Sequence, residues 1–404
     1  MKRLTADSTT MSLVYTHEET PETIKKSIFL AGPTPRDYEK KQSWRKEAVE
    51  ILESLGYDGV VYLPEYRDGK AIAEEKFDLA KQVDWEHKNL KSCDAIVFWI
   101  PREMRPDFEF AALTTNIEFG LFFNSYKLFV GSPKEAKKNE YLKEISKDRY
   151  VWHDDLHSLM EDVVAYLGDG IERRDTERLV PKHIFESAQF QNWYQPQIRI
   201  GNKMVGYDTL FEAHMKSNNK MFMCVFHPDM YVKESMDGHK EDRVKNNEFV
   251  IARTDMSYVL AYQHNEQDIL GSKIVLVEEY RVPVVNEPEM VVELAGGSSM
   301  KDNDDRLQTA ADELKEETGI IVAKDRLVYH GIKQSASTLC SHRIALYSVE
   351  LTDEEIEKAV NDNTVHGVVE DTERTYVHVM TVREAMKYVD WTNIGMIMSV
   401  LEQG

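Results

Sequence analysis

The first half of the chain alternates short, unbroken apolar runs with stretches of helical period. SIFLAGP (Ser27–Pro33), GVVYLP (Gly59–Pro64), DAIVFWIP (Asp94–Pro101) and KLFVGSP (Lys127–Pro133) read as strands, and RYVWHD (Arg149–Asp154) as a fifth. Trp44, Ala48, Leu52 and Leu55 recur at helical spacing, and Gly56 closes that helix. Further helices are expected from about Ala71 to Leu90, in TTNIEFGLFF from Thr114 onward, and over Leu156–Leu167 with Gly168 as the stop. A strand buried on both faces shows a continuous apolar run. Strands of that kind alternating with helices predict a doubly wound parallel sheet of the α/β class.

The texture then changes. GDGIERRDTERLVPK (Gly168–Lys182) is charged and bounded by Gly and Pro, which reads as a linker. After it come strand-like segments separated by turns, among them FVIARTDMSYVLAYQ, KIVLVEEYRVPVV, MVVELAGG, RIALYSVEL and RTYVHVMT. Helices are expected at Leu307–Thr318 and near Trp391–Leu401, which makes an α+β pattern. The expected organisation is a flexible lead-in at 1–25, a first domain at 26–167, a linker at 168–182 and a second domain at 183–404.

Composition narrows the chemistry. The 404 residues carry a formal charge of −21 and show no basic patch, which excludes nucleic-acid binding by phosphate neutralisation. No apolar run approaches the roughly eighteen residues of a membrane span, and the first residues lack the apolar centre of a secretion signal. Cys93, Cys224 and Cys340 are odd in number and far apart, the pattern of a reducing, cytoplasmic compartment. His227 and His239 lack metal-ligand spacing and read as loop residues; Trp85, Trp99, Phe122 and Phe123 read as core or pocket wall.

Two stretches carry candidate chemistry. ADELKEETGII (Ala311–Ile321) sets Glu313, Glu316 and Glu317 at i, i+3 and i+4 on a helix whose apolar stripe is Leu307, Ala310, Ala311 and Leu314, with Gly319 as the stop. Stacked carboxylates repel unless neutralised, and Mg²⁺ or Mn²⁺, which also bind phosphate oxygens, suit them. In isolation such a triplet is more often a solvated acidic face. VVELAGG upstream, followed by ELKEETGI, resembles the Nudix box. The resemblance covers the chain from about Ile184 onward and extends to the ADP-ribose pyrophosphatase branch, through VLVEEYRVPV and HGVVEDTERTYVHVMTVREAMKYV.

That resemblance implies an α/β/α sandwich with a mixed sheet and divalent metal on Glu313, Glu316 and Glu317. It implies hydrolysis of a nucleoside diphosphate-linked substrate, ADP-ribose first. Asp371 and Glu373, with Glu370 in reserve, are then the acids that orient or deprotonate the attacking water, and Arg281 and Gly296 are substrate contacts. The departures are specific. Only Asp302, Asp304 or Asp305 stands near the place of the box's first Glu, Asp312 replaces its Arg, and SASTLCS replaces a Ser-Pro-Gly element.

In a doubly wound sheet, ligands bind beyond the carboxyl ends of the strands, near the switch in strand order. Gly32, Pro101 and the LTTNIEFG turn fall on that side. Glu118 is expected in the first turn of its helix, where the macrodipole favours the ionised form. An ionised carboxylate in a crevice can attack an anomeric carbon or stabilise an oxocarbenium ion, although residue types alone favour a plain helix-start acid. The stretch from about Lys26 to Leu167 resembles nucleoside 2-deoxyribosyltransferase-like proteins, with their flavodoxin-like sheet. The resemblance implies Glu118 as nucleophile and Asp84 as the acid assisting the leaving base. It further implies Asp107 or Glu109 as a second acid, Gly32 at the ligand, and a homo-oligomer whose neighbouring subunit completes the site.

The two resemblances together imply a bifunctional enzyme acting on small nucleosides and nucleotides. A nucleotide-binding or sensing protein with weakened catalysis is the alternative raised by Asp312 and the incomplete box.

Overall fold

The computed structural model describes residues 10–35, 42–67, 78–104, 111–215, 218–233, 243–285, 290–298, 305–367 and 373–402. They fall into two units, Met1–Ala213 with Cys224–Phe249, and His214–Met223 with Val250–Gly404.

The first unit is built on a six-stranded, all-parallel sheet in the order Ser12–Tyr15, Val60–Leu63, Ser27–Ala31, Ala95–Trp99, Leu128–Gly131, Trp152–His153. Alternate residues feed two separate cores. Phe29, Tyr62, Ile96, Phe98 and Val130 face the helices Leu79–Ser92, Leu113–Phe122 and Glu140–Ser146. Ile28, Leu30, Val61, Val97 and Trp99 face Trp44–Ser54 and Leu156–Leu167. Every residue of Ser27–Ala31 and Ala95–Trp99 is buried, which explains their unbroken apolar runs. The doubly wound, flavodoxin-like expectation for this unit holds.

Residues of the expected lead-in and of the expected linker are instead part of this unit. Within 1–25, Ser12–Tyr15 forms the edge strand and Thr23–Ile24 pairs with Arg173–Arg174. The stretch Gly168–Lys182, read as a linker from its charge, is held by a buried ion pair. Asp94 accepts from Arg173 Nη1 and Nη2 at 2.7 and 2.6 Å, from Ser27 N at 2.8 Å and from Lys182 N at 2.6 Å. Arg173 and Asp94 are both fully buried, so one charge of the "linker" belongs to the core. The helix expected from Ala71 is observed as Leu79–Ser92, with 68–77 outside the described residues. His227 lies within the strand Met221–Val232, not a loop, and His239 is outside the described residues.

The second unit has a mixed seven-stranded sheet. Its path is Met290–Glu293, Lys273–Tyr280, Met256–Gln263, Arg343–Glu350, Val328–Gln334; Ala295–Gly297 also pairs with Met256–Gln263, and Thr375–Thr381 with Lys273–Tyr280. Met256–Gln263 and Arg343–Glu350 are parallel, in a sheet whose other recorded pairings are antiparallel. Val259, Ala261, Val275, Val277, Ala345 and Tyr347 face the helices Arg306–Thr318 and Asp353–Val360. Tyr258, Leu260, Ile274, Leu276, Ile344 and Leu346 face Val382–Ala385 and Trp391–Leu401. Helices thus cover both faces of a mixed sheet. Among the described residues no helix is long and apolar enough to cross a membrane.

Removing one partner of a fully buried, fully hydrogen-bonded ion pair leaves the other charge uncompensated. Asp94→Ala is therefore expected to destabilise the first unit by roughly 3–5 kcal/mol in urea denaturation. A cost below about 1 kcal/mol would mean that Arg173 finds water instead.

Candidate functional site

The winding of the first unit switches between Ser27–Ala31 and Ala95–Trp99. Gly32 ends the first of these strands with φ +148°, and a Cβ there would lie 2.2 Å from the Trp99 carbonyl oxygen. Only glycine allows the two strand ends to approach so closely. Below them lies the fully buried Arg45 of the Trp44–Ser54 helix. Its Nε donates to Leu30 O at 2.8 Å, its Nη2 to Gly32 O at 2.7 Å, and its Nη1 to Thr34 Oγ1 at 3.1 Å and Glu65 Oε1 at 2.6 Å. One guanidinium therefore fixes the backbone at the switch point.

Glu118 is buried on the helix Leu113–Phe122, which follows the strand Ala95–Trp99 and is preceded by Ala112 at φ +54°. It stands in the second helical turn rather than the first, so the macrodipole does not decide its charge. Burial, then the Glu86 carboxylate, push its pKa up to about 8, against the pull of Arg45. Among the described residues its carboxylate accepts no side-chain or backbone hydrogen bond. The expected preference for the ionised form is thus reversed: burial and the neighbouring Glu86 favour the protonated acid.

Asp84 is exposed. The Leu79–Ser92 helix turns Gln82, Asn89 and Leu90 inward, and Asp84 falls on the outer side. Glu86, half-buried, takes the inner position: burial raises its pKa, and Gln82 Nε2 donates to its Oε1 at 2.6 Å. The packing of His87 on Phe122, at 6.5 Å between ring centroids, sets this helix beside the one carrying Glu118. Asp107 and Glu109 lie outside the described residues. Arg102, absent from the sequence reading, is buried just past the third strand. It donates to Asn116 Oδ1 at 2.5 Å and to Lys138 O at 3.2 Å, leaving Nε without a partner. A cation directly after an apolar strand was the signal available for it.

In the second unit, Ala310 and Leu314 anchor the Arg306–Thr318 helix in the core. The glutamate triplet does not share one environment. Glu317 is buried, Glu313 half-buried and Glu316 exposed. Glu317 Oε2 accepts from Gly296 N at 2.9 Å. A Cβ on Gly296 would lie 2.6 Å from Ser257 O, so this glycine lets the strand bearing it lie close to its neighbour. Arg281 sits between Glu279, at 2.8 Å, and Glu293, at 3.2 Å. Burial, then Glu316 and Glu373, raise the Glu313 pKa to about 7. Burial is also the main cause that raises Glu317 to about 9; the Gly296 amide opposes it, and Glu313, Glu373 and Glu293 add to it. Asp312, in place of the expected Arg, accepts from Gln308 Nε2 at 2.6 Å.

Among the described residues no three acidic, His or Cys side chains form a ready-made ion site. Asp371, Glu370, Asp302 and Asp304 lie outside the described residues, and Asp305 caps the helix by accepting from Leu307 N. The donor chemistry nonetheless fits a hard cation. The carboxylates outnumber Arg281, and Mg²⁺ commonly takes one or two carboxylates together with substrate phosphate rather than a full protein cage.

With this geometry in view, the comparisons are specific. Residues 25–136 match the family model described as nucleoside 2-deoxyribosyltransferase like. The match includes Gly32, Glu86 and Glu118, and no part of it falls in the second unit. No curated protein matches the chain.

The raised pKa of Glu317 carries a stability consequence with a definite sign. The fold holds the neutral acid, so this contribution is complete below about 4.5 and is lost as pH rises through about 9. Glu317→Gln, neutral at every pH, should raise Tm at pH 9 by several degrees, on the order of a few kcal/mol, and change little at pH 4.5. An equal fall in Tm at both pH values would mean that the fold needs the ionised carboxylate.

Proposed function

We propose that the first unit cleaves or transfers at the N-glycosidic bond of a nucleoside-like substrate, with Glu118 as nucleophile and Glu86 as its proton-exchanging partner. The observation that carries this reading is the buried Glu118 carboxyl, without a hydrogen bond among the described residues, beside the half-buried acid Glu86 on the neighbouring helix. Two like groups in one crevice share protons unevenly. The ionised Glu118 would bond to the anomeric carbon as the bond to the base breaks, and Glu86 would hand its proton to the departing base nitrogen. Water, or a second base, then releases the sugar and returns Glu118. Arg45 keeps the carbonyls of Leu30 and Gly32 fixed while this occurs.

The test is base release or exchange from nucleosides and from NAD, read by mass spectrometry, with Glu118→Gln alongside. Wild-type kcat/KM is expected to rise with pH along a limb near 8. In Glu86→Gln that limb moves down, because the like charge that raises the Glu118 pKa is gone. Turnover that survives Glu118→Gln would sink the reading.

A second reading concerns the second unit, and the uncompensated Glu313 and Glu317 beside Gly296 favour it. It is a Mg²⁺- or Mn²⁺-dependent hydrolase of a nucleoside diphosphate-linked substrate, ADP-ribose foremost. Glu313, Glu316 and Glu317 would hold the ion, which neutralises the diphosphate and polarises its phosphorus. Arg281 would add a positive edge, while Glu373, with Asp371, would orient water. Removing nicotinamide from NAD yields ADP-ribose, so the two activities make chemical sense in one chain. AMP and ribose 5-phosphate from ADP-ribose and Mg²⁺, absent in Glu317→Gln, is the expected result. Ligand-dependent stabilisation without product would favour a nucleotide sensor instead.

The partner we propose is a second copy. Leu113, Ile117 and Leu121 are exposed at i, i+4 and i+8 along the helix that carries Glu118, an apolar stripe on a catalytic element.

A further inference from the structure

On the sheet face opposite the carboxylate helix, the second unit has a cavity of about 360 Å³ between the strand Val328–Gln334 and the helix Trp391–Leu401. That volume lies within the range of small-ligand pockets. Ile344 and Leu346 form its apolar floor, and both belong to the core under the Trp391–Leu401 helix. The carboxylate helix packs against the other core, so this cavity is separate from the proposed metal site.

Its lining is unusual for this chain. The protein carries 71 acidic against 50 basic residues, yet among the described residues none that lines this cavity is Asp or Glu. Lys333 supplies positive charge at the rim. It is exposed and has no ion-pair partner among the described residues. The register explains its direction: Lys333 pairs with Ile344, whose side chain faces this side of the sheet. Trp391 stands at the mouth with 88% of its surface exposed, although it begins a helix whose later residues are core. Gly395, one helical turn further, leaves open space where a side chain would project. His330 is a fixed part of the wall, its Nε2 within 2.7 Å of Ser348 Oγ. Thr392 and Ser399 add hydroxyls on the helix side.

We infer that this cavity binds a planar aromatic anion of the nucleoside monophosphate class, its ring against Trp391 over Gly395 and its anionic group toward Lys333. A flat apolar floor, an exposed indole and a glycine gap select a ring. A cation without a competing carboxylate selects negative charge, which the rest of this acidic surface repels.

The experiment is an AMP titration of the full chain in EDTA, which silences any metal site, followed by tryptophan fluorescence. Of the six tryptophans only Trp391 is exposed, so contact there dominates quenching by ligand. Saturable quenching is expected, with adenosine and Lys333→Glu each weaker by about tenfold, the worth of one charge contact. Gly395→Leu fills the open space in a helix without strain and should abolish quenching while Tm is kept. Glu317→Gln should leave the AMP affinity unchanged. No saturable quenching by AMP, quenching that persists in Gly395→Leu, or quenching lost in Glu317→Gln would each overturn the inference.

Discussion

Carboxylates buried in greater number than the cations beside them are the constraint around which both units are organised. Arg45 stands among Glu65, Glu86 and Glu118, and Arg281 among Glu279, Glu293, Glu313 and Glu317. A buried charge without a partner is costly, so such groups hold protons or await a ligand. Asp94 is the contrast within the same chain. It is just as buried, but a guanidinium and backbone amides satisfy it, and the pairing fastens a charged segment to the sheet. The difference between a satisfied and an unsatisfied buried acid separates scaffold from candidate chemistry here.

Backbone shape does the placing. At Gly32 and Gly296 a neighbouring carbonyl occupies the space a Cβ would need, and both glycines lie beside the acid clusters. Close approach brings amides and carbonyls, rather than side chains, to the edge of each cluster: Arg45 grips the Gly32 carbonyl, and Glu317 accepts from the Gly296 amide. The far end of the carboxylate helix is tied as well. Gly367 N donates to Glu316 O, and Thr375 Oγ1 to Glu317 O, each at 3.0 Å. The side chains of Glu313 and Glu317 are therefore carried on a helix fixed at both its core face and its end.

Much of the fold was legible because burial leaves a period in the sequence. The five apolar runs of the first half became parallel strands, and the helices at Trp44, Leu156, Arg306 and Trp391 follow their stripes. The failures have physical causes. The charge of Gly168–Lys182 suggested solvent, but a fully paired Arg173 is compatible with burial, and pairing across 79 positions leaves no local trace. His227 read as a loop residue, yet the strand Met221–Val232 runs through it and through Pro228 beside it. Glu118 and the glutamate triplet were visible from residue type and spacing. Glu86 was not, because motif position pointed to Asp84 while helical phase turns that residue to solvent. The protonation preference of Glu118 was not legible either, since it depends first on burial and then on the three-dimensional neighbour Glu86 rather than on distance along its helix.

The two acid clusters call for different remedies, and this follows from their size. In the first unit burial raises both Glu118 and Glu86 against the pull of one guanidinium, so the pair favours keeping a proton, and on the proposed reading that proton must pass to Glu86 before Glu118 attacks. In the second, protons alone are a poor remedy. Each one bound removes an oxygen that must remain a bare acceptor if phosphate is to be gripped through a cation, and Glu373 adds its charge to both Glu313 and Glu317. A divalent cation does what protonation cannot, because it neutralises two carboxylates and keeps their oxygens as ligands. On the proposed reading the raised pKa values of Glu313 and Glu317 are then the proton-bound counterpart of a metal site, and ion binding must displace those protons. Asp312 sharpens the same demand: where an Arg would have shared the load, a further carboxylate raises the Glu313 pKa instead, so on that reading the burden of neutralisation would fall on the ion and on Arg281.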